Sequence, residues 1–214
     1  MSTVSTATSA ANRAPQITRP NTLSVGIIVW LSSEVMFFAG LFAMYFTHRS
    51  VAGQAAWGEA SEVLNVPFAA VNTTILMISS ITCQFGVWKA EKLIARREGS
   101  LLDLRRWGMT EWYMLSFLLG SIFISLQIFE YAELVSHGVT ISSGSYGSVF
   151  YITTGFHAIH VIGGLIAFLL IIGRTRVTKK FSHREASTAV VTSYYWHFVD
   201  VIWIALIFII YVLK

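Results

Sequence analysis

The sequence predicts an all-α protein: a polytopic transmembrane helical bundle of five spans, N-terminus cytoplasmic and C-terminus external. Three observations predict it. Of the 214 residues 55% are hydrophobic and only 12% charged, and mean hydropathy is +0.63, a composition foreign to a water-soluble domain. Five apolar stretches each reach the length that roughly 30 Å of hydrocarbon demands at about 1.5 Å per helical residue. Basic residues gather in alternate connections, as topology determinants do.

Residues 1–21 are rich in Ser, Thr and Ala and lack the apolar core of roughly 7–15 residues that marks a secretory signal. They read as a flexible cytoplasmic tail, leaving 22–214 as one five-helix transmembrane unit. Segment one runs from about Leu23 to Phe46, two from Phe68 to Trp88, three from Trp112 to Leu134, four from Val149 to Gly173 and five from Val190 to Leu213. Between segments two and three lie Lys89, Lys92, Arg96, Arg97, Arg105 and Arg106; between four and five lie Arg174, Arg176, Lys179, Lys180 and Arg184; the tail adds Arg13 and Arg19. Thirteen basic residues thus fall on one side against two, Arg49 and Lys214, on the other. By the positive-inside rule the first side is cytoplasmic. The external connection from Thr47 to Pro67 carries Glu59 and Glu62.

Several function classes fit poorly. The net charge of +4 resides in membrane-flanking connections, which disfavours nucleic acid as a partner. The single cysteine, Cys83, can build neither a disulfide framework nor a thiolate metal site within one copy, and reads as a small buried filler. No GxSxG elbow and no phosphate-cradling glycine loop is present. An odd number of spans without internal repeat is not two equal inverted halves, which argues against many secondary transporters. Gly163 and Gly164 in span four, and Ser79 and Ser80 in span two, would let helices approach closely. Trp57, Trp107 and Trp112 read as interfacial anchors, whereas Trp30, Trp196 and Trp203 read as packing or lipid-facing positions along the spans.

The informative residues are polar groups inside these spans. Glu34 stands eleven positions after Leu23, roughly 16 Å along the helix and near the membrane midplane. A bare carboxylate there is expensive, so it should be protonated, paired or turned toward other helices. It is either a structural tie between spans or a group for proton exchange, headgroup contact or modulation of a neighbouring subunit. In span three Gln127 and Glu130 are three apart and can meet, with Glu133 continuing the stripe. His157 and His160 share a face of span four, and His197 and Asp200 a face of span five. Glu130, His157, His160, His197 and Asp200 offer suitable metal donors, but no HExxH, CxxC or ExxH signature fixes a geometry.

Read in order, WLSSEVMFFAGLFAMYF at 30–46, VNTTILMISSITCQFG at 71–86, LGSIFISLQIFEYAEL at 119–134, TGFHAIHVIGG at 154–164 and YYWHFVDVIW at 194–203 resemble subunit III of the haem–copper terminal oxidases. The resemblance covers essentially everything after Thr22 and is closest to the five-span bacterial form of the cytochrome c oxidase branch. It implies a multi-pass subunit of the bacterial plasma membrane that carries no cofactor of its own and docks beside oxidase subunits I and II. Haem a, haem a3 and copper would reside in those partners. It implies phospholipid held between helices near Glu34, support for proton uptake and catalytic lifetime, and a place in a respiratory supercomplex with a cytochrome bc-type complex. Larger members carry two further helices ahead of these five, forming one wall of the lipid cleft; their absence implies that another subunit confines lipid here. By matching motif, Glu34, Gln127, Glu130, His157, His160, His197 and Asp200 would make interhelical hydrogen bonds and lipid or subunit contacts. At the level of the complex, electrons would pass from cytochrome c to oxygen, giving water and driving proton translocation. Subunit III of a quinol oxidase, an autonomous transporter or channel, and a pure scaffold are the competing readings.

Overall fold

The structure, a computed structural model, describes residues 22–97, 99, 103–178 and 181–213. Residues 1–21, with Arg13 and Arg19, and also Lys179, Lys180 and Lys214 lie outside the described residues. Five long helices are apolar enough to cross a membrane: α1 (Thr22–Ala52), α3 (Val66–Glu91), α4 (Met109–Ser136), α5 (Ser145–Val177) and α6 (His183–Ile207). The short helix α2 (Gln54–Ser61) joins α1 to α3, and a 3₁₀ turn at Leu104–Arg106 precedes α4. A π-helical turn, Phe208–Val212, prolongs α6.

Local sequence sets several boundaries. The Asn65 side chain accepts from the Phe68 amide at 3.1 Å and Pro67 occupies the first turn of α3, where its missing N–H costs nothing. At α4, Glu111 accepts the Gly108 amide at 3.1 Å. At α6, Ser182 and Glu185 form a reciprocal cap: the Ser182 hydroxyl accepts the Arg184 amide at 3.2 Å and Glu185 accepts the Ser182 amide at 3.1 Å. Gly53, at φ 81°, occupies the left-handed conformation that turns the chain from α1 into α2.

Helices α3, α4, α5 and α6 pack in a ring, each against two neighbours, while α1 lies outside it in contact with α5 and α6. The seam of α1 is Glu34, Phe38, Leu41 and Tyr45, the last three buried. Its remaining circumference is apolar and exposed, as suits hydrocarbon or a further membrane helix. Inside the ring Trp203 is the hub: its indole meets Phe123 edge-on at 4.9 Å, stacks with His157 at 4.8 Å and donates from Nε1 to Thr73 Oγ1 at 3.1 Å. Trp196 fills the second layer, donating to Ser79 Oγ at 3.1 Å.

The two ends of the bundle differ in charge. At the basic end, Arg96 donates to the carbonyl of Arg176 at 3.1 Å and Arg174 meets Glu185 at 3.4 Å, so the α3–α4 and α5–α6 connections share one surface. At the opposite end, Arg49 donates to the Leu213 carbonyl at 2.9 Å and His48 Nδ1 lies 2.6 Å from Ser145 Oγ.

Two expectations need correction. The spans are longer than their apolar cores: α5 has 33 residues, and α6 starts at His183 rather than Val190 because the Ser182 cap nucleates a polar first turn ahead of the apolar run. Trp57 is no interfacial anchor. It sits on α2, which folds back over the bundle, and is 1% exposed, edge-on to Tyr45 and Tyr146 and donating from Nε1 to Tyr45 Oη at 3.1 Å.

Candidate functional site

The seven intramembrane polar residues separate into a lateral pair, two clusters and one isolated ring. Glu34 of α1 and His160 of α5 form the pair: Glu34 Oε2 lies 3.3 Å from His160 Nε2. Both are half-buried, Glu34 on the packing seam of α1 and His160 against Phe37 and Phe38. Tyr195 braces the turn, donating to the His160 carbonyl at 2.8 Å while stacking on Trp30 at 5.5 Å. The Phe156 carbonyl, which can only accept, is 2.7 Å from His160 Nδ1 and therefore fixes a proton there. With that proton on Nδ1, Nε2 is left to face Glu34 Oε2, so the acid meets a polar partner on α5 rather than hydrocarbon.

At the end opposite the basic connections, Glu130 is buried and doubly held. Tyr211 donates to Oε1 at 2.6 Å and Gln127 to Oε2 at 3.1 Å. The predicted meeting of Gln127 and Glu130 is thus present, and Tyr211 ties the π-helical turn after α6 onto α4.

The third group lies between α3 and α6. His197 Nε2 is 3.2 Å from Gln84 Oε1 and Nδ1 is 2.7 Å from Ser80 Oγ. Asp200 Oδ2 stands 3.7 Å from His197 Nδ1, beyond hydrogen-bond length, although the two share a helix face as their spacing predicts.

His157 differs from His160 despite the three-residue spacing. It points into the ring, 1% exposed, flat against Trp203, with neither nitrogen hydrogen-bonded among the described residues. The 60° between positions i and i+3 is enough to send one ring to the core and the other to the α1 seam. Among the described residues no three His, Cys, Asp or Glu side chains come together as a metal-ligand set.

Sequence reasoning missed Tyr211, Ser80, Gln84 and Tyr195 as partners. Ser80 and Gln84 are four apart on one face of α3, but that span also carries Asn72, Thr73, Thr74, Ser79 and Thr82, so the spacing singles out no partner. Gly163 and Gly164 do allow close approach, against Tyr195 and Trp196 respectively. Ser79 and Ser80 act as hydrogen-bonding groups rather than spacers, and Cys83 is the buried filler expected.

A family described as cytochrome c oxidase subunit III matches residues 3–214. The chain belongs to the cytochrome c oxidase subunit III family. It is similar to the probable cytochrome c oxidase subunit 3 of Mycobacterium leprae, at 49% identity over 214 residues, covering 100% of this chain and 99% of the relative. It is 50% identical over 206 residues to the cytochrome c oxidase subunit 3 of Corynebacterium diphtheriae, covering 96% and 95% of the two chains. The subunit of the same name from Thermostichus vulcanus is 32% identical over 194 residues, covering 91% of this chain and 89% of that one. As a subunit III family member with five apolar spans, the chain is a multi-pass membrane protein and a non-redox subunit of cytochrome c oxidase.

Proposed function

We propose that this chain embraces the oxidase's catalytic core through its exposed α1 side, beside subunits I and II in the bacterial plasma membrane, and that Glu34 with His160 organises a polar, phospholipid-filled region there. The observation that carries this reading is the pair itself: a mid-membrane acid on the outermost helix, half-buried and bonded to the ring. Glu130 is buried inside the ring, whereas Glu34 keeps 20% of its side chain exposed on the seam, where a neighbouring subunit or lipid can reach it. Its roles are to hold a proton, fix headgroup and acyl chains beside the core, and sustain proton uptake and catalytic lifetime. Glu130 with Gln127, and His197, tie helices together through Tyr211 and through Ser80 and Gln84 respectively, while His157 packs inside the ring against Trp203.

The orientation that follows places residues 1–21 as a tail in the cytoplasm, 22–214 as the membrane unit and the C-terminus outside. Supporting it, Lys89, Lys92, Arg96, Arg105, Arg106, Arg174 and Arg176 sit at one end and Arg49 at the other. Partnership with a cytochrome bc-type complex in a supercomplex would use surface left free by subunits I and II.

The test is gentle purification through a tag on this chain in native lipid, followed by native mass spectrometry and a visible absorption spectrum. Recovery with haem-a-containing subunits I and II and with retained phospholipid supports the proposal. Recovery of the chain colourless and alone contradicts it and favours an autonomous transporter.

A further inference from the structure

We propose that the cleft between α3 and α4 at the basic end is a binding site for one anionic phospholipid, its phosphate on Lys92 and Arg105 and one acyl chain along the outer face of α3. This surface is separate from the Glu34 region, since α1 packs on α5 and α6.

The cleft has a cationic mouth and an aromatic wall. Lys89, Lys92 and Arg105 line the mouth, with Phe85, Trp88 and Trp112 behind them. The wall is pre-packed: Phe85 lies 5.4 Å from Trp88 and 4.9 Å from Trp112, centroid to centroid. Lys89 Nζ donates to the Arg105 carbonyl at 2.7 Å, tying the α3–α4 connection to the end of α3 and setting the Arg105 side chain over the cleft. The carboxylate nearest in sequence, Asp103, is engaged by Arg106 at 3.2 Å. Glu91, in the last turn of α3, does not line the cleft. No ion pair neutralises Lys92 or Arg105 among the described residues.

An apolar track leads away from this mouth. Ile78, Ile81, Phe85 and Trp88 follow one another at three- and four-residue spacing on α3 and are all exposed, a stripe about 15 Å long at 1.5 Å per residue. Cations at the level of the headgroups, indoles just below them and an aliphatic stripe beneath match a phospholipid from phosphate to acyl chain. A free phosphate would account for the mouth alone. An uncharged or zwitterionic lipid would account for the stripe but not for two unpaired cations over it.

The test titrates the protein purified in mild detergent, with whatever partners remain bound, using phosphatidylglycerol and phosphatidylcholine of identical acyl chains. Bound lipids are counted by native mass spectrometry. The variants are Lys92→Gln with Arg105→Gln, and the charge-keeping Lys92→Arg with Arg105→Lys; both positions are exposed, so the fold is undisturbed. The expected result is loss of one phosphatidylglycerol site in the Gln variant, with affinity falling about tenfold or more, unchanged phosphatidylcholine binding and retention in the charge-keeping variant. Equal binding of the two lipids by the natural protein, or unchanged phosphatidylglycerol binding in the Gln variant, overturns the proposal. Displacement of that lipid by millimolar inorganic phosphate also overturns it, by assigning the site to a small anion.

Discussion

Trp196 of α6 lies so close over Gly164 of α5 that a methyl group at residue 164 would stand 2.6 Å from the indole Cε3. The same indole crowds Gly120 of α4, where a Cβ would come within 2.7 Å of Cη2. One ring thus fills the space that two absent side chains leave, and fastens three helices where lipid supplies no hydrophobic drive between them.

Gly164→Ala should therefore destabilise the bundle by about 1–3 kcal/mol, the usual cost of overpacking. Gly173→Ala, at a position where a Cβ meets nothing within 4 Å, should be neutral or slightly stabilising. Thermal unfolding in detergent followed by circular dichroism distinguishes the two; equal midpoints would mean that Trp196 does not act as a wedge.

Tyr211→Phe deletes the 2.6 Å donor to buried Glu130. The expected loss is about 1–3 kcal/mol, since an acceptor is left short of a partner away from water. A double-mutant cycle with Glu130→Leu should show the loss largely vanish once the acceptor is gone. Additive effects would mean that Tyr211 stabilises by packing alone.

His157 offers a sharper contrast. Its ring stacks on Trp203 and neither nitrogen has a partner among the described residues, so His157→Phe keeps the stack and removes two unsatisfied polar atoms. Stability should hold or rise, and oxidase turnover should stay unchanged. A fall in turnover with the fold intact would give this histidine a functional role.

Trp57 anchors α2 through Tyr45 and Tyr146 rather than through the membrane interface. Trp57→Ala should loosen 54–61 locally, raising amide hydrogen exchange there while protection in α3 to α6 persists. Uniform loss of protection would place Trp57 in the global core instead.

The contrast between Trp57 and Gln127 shows what the sequence could and could not convey. Five spans were legible because a helix must be about twenty apolar residues long to satisfy its backbone in hydrocarbon, and that demand is written locally. The contact of Gln127 with Glu130 was legible for the same reason, both lying on one helix face three residues apart. Trp57 misled because an aromatic residue near the end of a span has the composition of an interfacial anchor, whereas its burial depends on α2 folding back. Cross-helix partners were hidden more deeply. Ser80 meets His197 across 117 residues and Glu130 meets Tyr211 across 81; nothing in the period of either helix specifies the other's rotation. Glu34 could be read as needing a partner on grounds of cost alone, but its choice of His160 over His157 rests on the 60° that separates them around α5.

Catalytic lifetime is the most direct measure of what Glu34 does. Glu34→Ala and Glu34→Gln oxidase, with subunit composition and bound lipid verified, should be followed in proteoliposomes for turnover, protons moved per electron and turnovers completed before inactivation. Near-normal initial turnover is expected, followed by inactivation at least several-fold earlier in Glu34→Ala, with Glu34→Gln, which keeps the hydrogen bond to His160 but carries no exchangeable acid, intermediate. Unchanged turnover, proton yield and lifetime in both variants would contradict it and leave the pair as a tie between α1 and α5.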